Sequence, residues 1–153
     1  MTNVHKALIY RHGRNMSLLA EFRAICGAAH AVPATWKDAV LGNAPQWVVM
    51  PRTTEEVAGV LQLAADKQLR TVVRGAGSKL HWGPAPSPVD LVLDTTRMTG
   101  VLTHQPHEST ATVRAGSRLD VLAERFATTG QRLALDPPGT STVGGTVATS
   151  TSG

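Results

Sequence analysis

The chain has one cysteine, Cys26, among 153 residues. A lone thiol excludes an intrachain disulfide and suits a reducing compartment, so Cys26 reads as a small buried apolar residue and not a nucleophile. Aromatic residues make up 4% of the chain, too few for the stacking surface that binds single-stranded nucleic acid. Lys and Arg number 15 against 11 Asp and Glu, a formal charge of +4 with no dense basic patch. That argues against a duplex-binding footprint as well. No apolar run is long enough to span a bilayer. Residues 1–16 lack acids, as targeting peptides do. The stretch after them carries Glu21, Arg23 and His30, which suits a signal-peptide core poorly. Cytoplasmic is the expected location. With 42% apolar residues, the chain can form one domain with a modest core.

What is present is a series of short apolar runs. Leu18, Leu19, Phe22, Ile25 and Cys26 form a stripe that predicts a helix over 16–29, with Ser17 as N-cap and Gly27 at its end. Residues 33–45 read as an irregular connection and 46–50 as a short strand closed by Pro51. Thr53 and Glu56 predict a capping box for a helix in which Val57, Val60, Leu61 and Ala64 recur at core-facing spacing, ending near Lys67. A strand over 69–73 follows. Strand, helix and strand over 46–74 predict a parallel pair with a right-handed crossover. The sequence DLVLD at 90–94 is a further strand. Then the texture changes. Residues 101–104 and 109–115 predict a hairpin. Ser117 and Asp120 open a helix with Leu119, Leu122, Ala123 and Phe126 along one face and Gly130 as its cap. A last strand is expected over 132–136.

The chemistry is expected in the stretch TVVRGAGSKLHWG at 71–83, where a β-branched run breaks into two glycines between two cations, Arg74 and Lys79. A strand end that turns into an amide-exposing cationic loop can hold phosphate. It is not a Walker loop, because Ser78 precedes Lys79 and Leu80 stands where a hydroxyl should be. A dinucleotide fingerprint fails too, since Leu80 replaces the third glycine. Pro84, Pro86 and Pro88 forbid the helix that both motifs need next. Phosphate binding here would use the amides of an irregular loop, assisted by Arg74 or Lys79. The plainer alternative is a strand-to-loop turn with solvated charges. The second unusual stretch is PPGTSTVGGTVATSTSG at 137–153, nearly all small residues and hydroxyls. It reads either as a flexible linker or as backbone that approaches a flat ligand closely. Its position at the chain end suggests truncation.

Taken in order, the PxTTEEV helix, RGAGSKL, DLVLD, the hairpin, the capped helix and the glycine-rich tail resemble the FAD-binding domain of the vanillyl-alcohol oxidase / p-cresol methylhydroxylase (PCMH) type. Within it, the resemblance is greatest to the FAD-binding subunit of bacterial glycolate oxidase. It covers 47–153. The resemblance implies an α+β fold, with a small βαβ-containing subdomain followed by a mostly antiparallel α+β subdomain. Residues 1–45 would be an N-terminal extension with one helix, and 46–153 the N-terminal part of the FAD domain.

For the site, the resemblance implies that Arg74, Gly75, Ala76, Gly77, Ser78, Lys79 and Leu80 wrap the FAD pyrophosphate. Pro137, Pro138, Thr142, Val143, Gly144, Gly145, Ala148, Thr149, Ser152 and Gly153 would lie along the rest of the cofactor. There Gly144 and Gly145 allow close approach, and Thr142, Thr149 and Ser152 offer hydroxyls. Covalent members carry a histidine where this chain has Ser78, and His81 is out of register, so non-covalent FAD is expected. The implied activity is flavin-dependent oxidation of a small 2-hydroxy acid such as glycolate, by hydride transfer to flavin, with other subunits as partners. Substrate-contacting groups are expected beyond Gly153, so this chain alone would be catalytically incomplete. The alternative is a non-catalytic nucleotide- or phosphate-binding module or a remnant without activity. His104, His107 and Glu108 do not form a zincin pattern, and Pro106 among them argues for a turn. Asp136 reads as a strand-terminal residue and Trp82 as a partly buried packing residue.

Overall fold

Two runs, Trp47-Val48-Val49 and Leu91-Val92-Leu93, are apolar at every position, the pattern of strands covered on both faces. They form the centre of the sheet. The computed structural model describes residues 16–83, 88–135 and 140–151. Strands β1 (Ala31–Pro33), β2 (Trp47–Val49), β3 (Thr71–Arg74) and β4 (Leu91–Asp94) make one sheet in the order β1-β2-β4-β3. β1 is antiparallel to β2, and the other pairings are parallel.

Side chains alternate between the two faces. Trp47, Val49, Leu91 and Leu93 pack with Phe22, Leu18 and Leu19 of helix α1 (residues 16–26) and with Val60 and Ala64 of helix α2 (Thr54–Asp66). Val48 and Val92 face the other way, with Val40 and Val89, and Leu80 packs on that cluster. The described part of the N-terminal extension therefore shares the core of the following residues. Burial raises the Cys26 thiol to about 11, with Glu56 adding to the effect. It stays protonated at neutral pH and is a poor nucleophile.

A second unit follows. Strands β5 (Val101–Gln105) and β6 (Thr110–Val113) form an antiparallel hairpin around a 3-10 turn at Pro106–Glu108. Helix α3 (Leu119–Ala127) buries Leu119, Leu122 and Phe126. Helix α4 (Val143–Ala148) is one and a half turns long. The architecture is α+β, as expected.

Several local expectations change. β2 and β3 are parallel but not neighbours, because β4 lies between them. Its residues are buried throughout, whereas Val73 of β3 is 59% exposed, so β4 takes the central place and β3 the edge. Residues 31–33, read in part as connection, are an edge strand that ends at Pro33, where a missing N–H is tolerated. Ser17 lies inside α1 and does not cap it. The Thr53 hydroxyl accepts the Glu56 amide at 3.2 Å, but the Glu56 carboxylate accepts from Arg52 N and not from Thr53. Leu61 is 43% exposed and Ala123 also faces solvent. Ser117 does not cap α3, because its hydroxyl is bound to the backbone of Gly100. Residues 132–135 form no strand, and Asp136 lies outside the described residues.

Truncating Phe22, which is fully buried, should cost about 3–5 kcal/mol as Phe22→Ala. Leu61→Ala should change stability by less than about 0.5 kcal/mol. Urea denaturation of both variants checks whether α1 belongs to the core.

Candidate functional site

The RGAGSKL loop leaves the carboxyl end of β3, where parallel sheets carry their ligand sites. Both of its ends are anchored. At the start, the Arg74 guanidinium is held by Asp94, with Nε and Nη2 at 3.0 and 2.9 Å from Oδ2. Its Nη1 donates to Asp38 Oδ1 at 3.1 Å. At the far end, Leu80 is packed on the second core cluster. Between them Gly77 sits at φ 79°, the left-handed region that a side chain avoids. Among the described residues, no acceptor takes the amide hydrogens of Ala76, Gly77, Ser78 or Lys79. A run of unclaimed backbone N–H groups is an anion-binding element.

α4 faces this loop across a cleft of about 120 Å³. Thr142 caps α4, its hydroxyl accepting the Gly145 amide at 3.3 Å. A Cβ at residue 75 would stand 2.2 Å from that same hydroxyl oxygen. Glycine at 75 is therefore what lets the loop and α4 meet.

Most of the expected site residues share this cleft. Residues 74–80 line it from one side, and Thr142, Gly145, Ala148 and Thr149 from the other. Two do not. Gly144 packs on Ala115, where an added Cβ would lie 2.9 Å from the Ala115 Cβ, and its amide donates to Ala115 O at 2.7 Å. Its smallness serves the protein's own packing and not ligand approach. Val143 points to a separate cavity of about 660 Å³ beside α3 and the hairpin. Pro137, Pro138, Ser152 and Gly153 lie outside the described residues.

The hydroxyls also divide. Thr142 is used in the cap, and Thr149 Oγ1 donates to Gly145 O at 2.8 Å and lies 2.7 Å from Thr151 Oγ1. Thr146, which sequence reasoning did not select, lines the cleft and is 4% exposed. Its Oγ1 is buried with no hydrogen-bond partner among the described residues. Only the tract's excess of hydroxyls signalled it, because which one faces the loop depends on a helix that two glycines concealed.

The electrostatics differ from expectation too. Burial pushes the Asp38 carboxyl up, but the hydrogen bonds from Thr35 and Arg74 outweigh it and hold the group below its ordinary value. With two carboxylates on it, Arg74 is a structural cation and its charge is not free for a ligand. Lys79 is the other loop cation, with Nζ 4.4 Å from the Trp82 ring centre. Trp82 is 52% exposed, not partly buried packing. His81 lines a second cavity, bounded by Lys37 and Leu41 and also by residues 74–77 and Leu80 of the loop. His104 is bonded to Gln131 Oε1 at 2.6 Å and packs on Phe126. Among the described residues no cluster of His, Cys, Asp and Glu could hold a metal ion, and no helix is long and apolar enough to cross a membrane.

Comparison with known proteins gives the family. The family model described as FAD binding domain matches residues 45–153. D-lactate dehydrogenase of Archaeoglobus fulgidus is 36% identical over 109 residues, covering 69% of this chain and 24% of its own. Glycolate oxidase subunit GlcD of Bacillus subtilis is 33% identical over 72 residues, covering 47% of this chain and 15% of its own. A crystal structure of p-cresol methylhydroxylase with substrate bound superposes with a TM-score of 0.71 at 19% identity, over 90% of this chain and 29% of that one. The last shows the fold alone. The named relatives are mixed and do not single out glycolate oxidase. The chain spans under a third of the length of each.

Replacing Arg74 by Met should lower stability at pH 7 by on the order of 3 kcal/mol, because it leaves two half-sealed carboxylates facing each other. The sign of the pH response should also reverse. In the wild type, Asp38 titrates below its unfolded value, so its contribution is complete above about pH 4 and is lost as pH falls through the folded pKa. In Arg74→Met the Arg74 hydrogen bond and charge that help hold Asp38 down are gone and burial pushes its carboxyl up, so mild acid should restore stability. Thermal melts between pH 4.5 and 7 check this.

Proposed function

The chain belongs to the family of FAD-binding domains of flavin-dependent oxidoreductases, and on that premise we propose that the cleft between residues 75–80 and α4 holds the FAD pyrophosphate. The observation that carries this reading is the run of unclaimed amides at Ala76–Lys79, set across a narrow cleft from α4. Amide dipoles suit a phosphodiester because they neutralise charge without a mobile cation. Lys79 is the cation left to assist, since Arg74 is committed to Asp38 and Asp94. The bound flavin would supply the electron-accepting chemistry, and this chain's residues would bind and orient it.

We read the cofactor as non-covalent. Ser78 offers no ring nitrogen, and His81 lines the cavity shared with Lys37, not the cleft shared with α4. The substrate class we propose is a small 2-hydroxy acid. D-lactate and glycolate, named for two of the relatives, are both of that class. Groups that touch the substrate would come from parts of those proteins that this chain does not match, in the same polypeptide or on other subunits. A reducing, cytoplasmic setting, suggested by the single buried Cys26, is part of the same proposal.

Titrating the protein with FAD and with riboflavin tests the pyrophosphate assignment. FAD should bind with its absorption band near ~450 nm, the cofactor supplying the chromophore. Riboflavin, which lacks the pyrophosphate, should bind at least about tenfold more weakly. Gly77→Trp should abolish FAD retention while leaving α2 helical by circular dichroism. Protein that ignores FAD, or that binds both ligands equally, contradicts the proposal.

A further inference from the structure

Among the described residues of the glycine-rich tract, one buried hydroxyl is left without a partner. Thr142 caps its helix, and Thr149 is bonded to Gly145 O and Thr151. Thr146 Oγ1 is sealed from water, lines the cleft, and has no partner among the described residues. A buried hydroxyl without a hydrogen bond destabilises a fold, so it marks either a flaw or a place completed by something else. Its surroundings favour the second. Across the cleft lie the amides of Ala76–Lys79, also without acceptors. Donors on both walls of one cleft, all unclaimed, call for a ligand rich in acceptors.

We infer that Thr146 is a binding residue that donates its hydroxyl hydrogen to a phosphate oxygen of the bound cofactor. This rests on the reading of the cleft as the FAD site, and it replaces Thr142 and Thr149 as the hydroxyl that reaches the ligand. Because Oγ1 is covered, engagement takes a small outward tilt of α4 about its Thr142 end, which stays against Gly75. The helix suits such a movement, since it is six residues long and its exposed residues Val147 and Ala148 pack on nothing in the described core. Ligand-free protein therefore carries an unsatisfied group that the cofactor relieves.

Ligand-free stability and FAD affinity should move in opposite directions. In Thr146→Val, which is nearly isosteric, the ligand-free protein should melt at the wild-type temperature or above. Its FAD dissociation constant should rise roughly tenfold or more, the scale of one hydrogen bond to a charged acceptor. Thr146→Ser should keep affinity close to wild type. In Thr149→Val, which removes two internal hydrogen bonds, the melting temperature should fall. If wild type binds FAD and Thr146→Val binds within twofold of it, this assignment is overturned while the FAD reading stands. A melting temperature for Thr146→Val that falls as in Thr149→Val also overturns it, because the hydroxyl would then have an internal partner. Wild-type protein that binds no FAD overturns the reading of the cleft and this assignment with it.

Discussion

The site depends on a missing atom. A Cβ on residue 75 would stand 2.2 Å from Thr142 Oγ1, a separation that no side chain tolerates. Thr142 is fully buried and cannot step aside, because its hydroxyl holds the first turn of α4. Glycine at 75 thus fixes the distance between two segments nearly seventy residues apart in the chain. The other restraints follow from it. Asp38 and Asp94 grip the residue before the glycine, and partly buried Leu80 packs against the second core cluster after it. The middle of the loop is held at both ends, and among the described residues no acceptor takes the amides of Ala76–Lys79.

This division of labour explains the charge pattern. A loop with two cations suggests that the cations do the binding. In the structure Arg74 is offset by two carboxylates, so it secures the loop and contributes little net field. Backbone dipoles, with Lys79 beside them, are left as the attractive elements. The dipoles would suit the anionic part of a cofactor as proposed above, since amide hydrogens are rigid and lose no side-chain entropy on binding.

Much of the fold was legible because its signals are local. The stripe at Leu18–Cys26 and the run at Val57–Ala64 predict α1 and α2, and alternation around Pro106 predicts the hairpin. Strand order was not legible. The choice of β4 over β3 as β2's neighbour depends on burial of both faces of Leu91–Leu93 against helices far away in sequence. Thr53 caps α2 as expected, but the cap expected at Ser117 failed for a related reason. Ser117 looks like an N-cap from its position, but its hydroxyl is drawn to Gly100, seventeen residues earlier.

In the candidate site, the residues expected from 74–80 and 142–149 border one cleft, with Val143 and Gly144 turned elsewhere. What the glycines are for was not readable, because it lies in contacts between segments. Gly75 clears Thr142 and Gly144 clears Ala115, so both serve packing within the protein. Two glycines in six residues also hid α4, whose helix comes from the Thr142 cap and the space between loop and α3, against local propensity. Without that helix, Thr146 could not be told apart from its neighbours.

On the proposed reading, the two glycine-rich segments form the two walls of one FAD site. Hydrogen exchange of the backbone amides, measured with and without FAD, tests it most directly. The account predicts that FAD slows exchange in both 75–80 and 143–149, with the largest protection at Ala76–Lys79. Protection confined to one segment, or located in α2 or the hairpin instead, would contradict it.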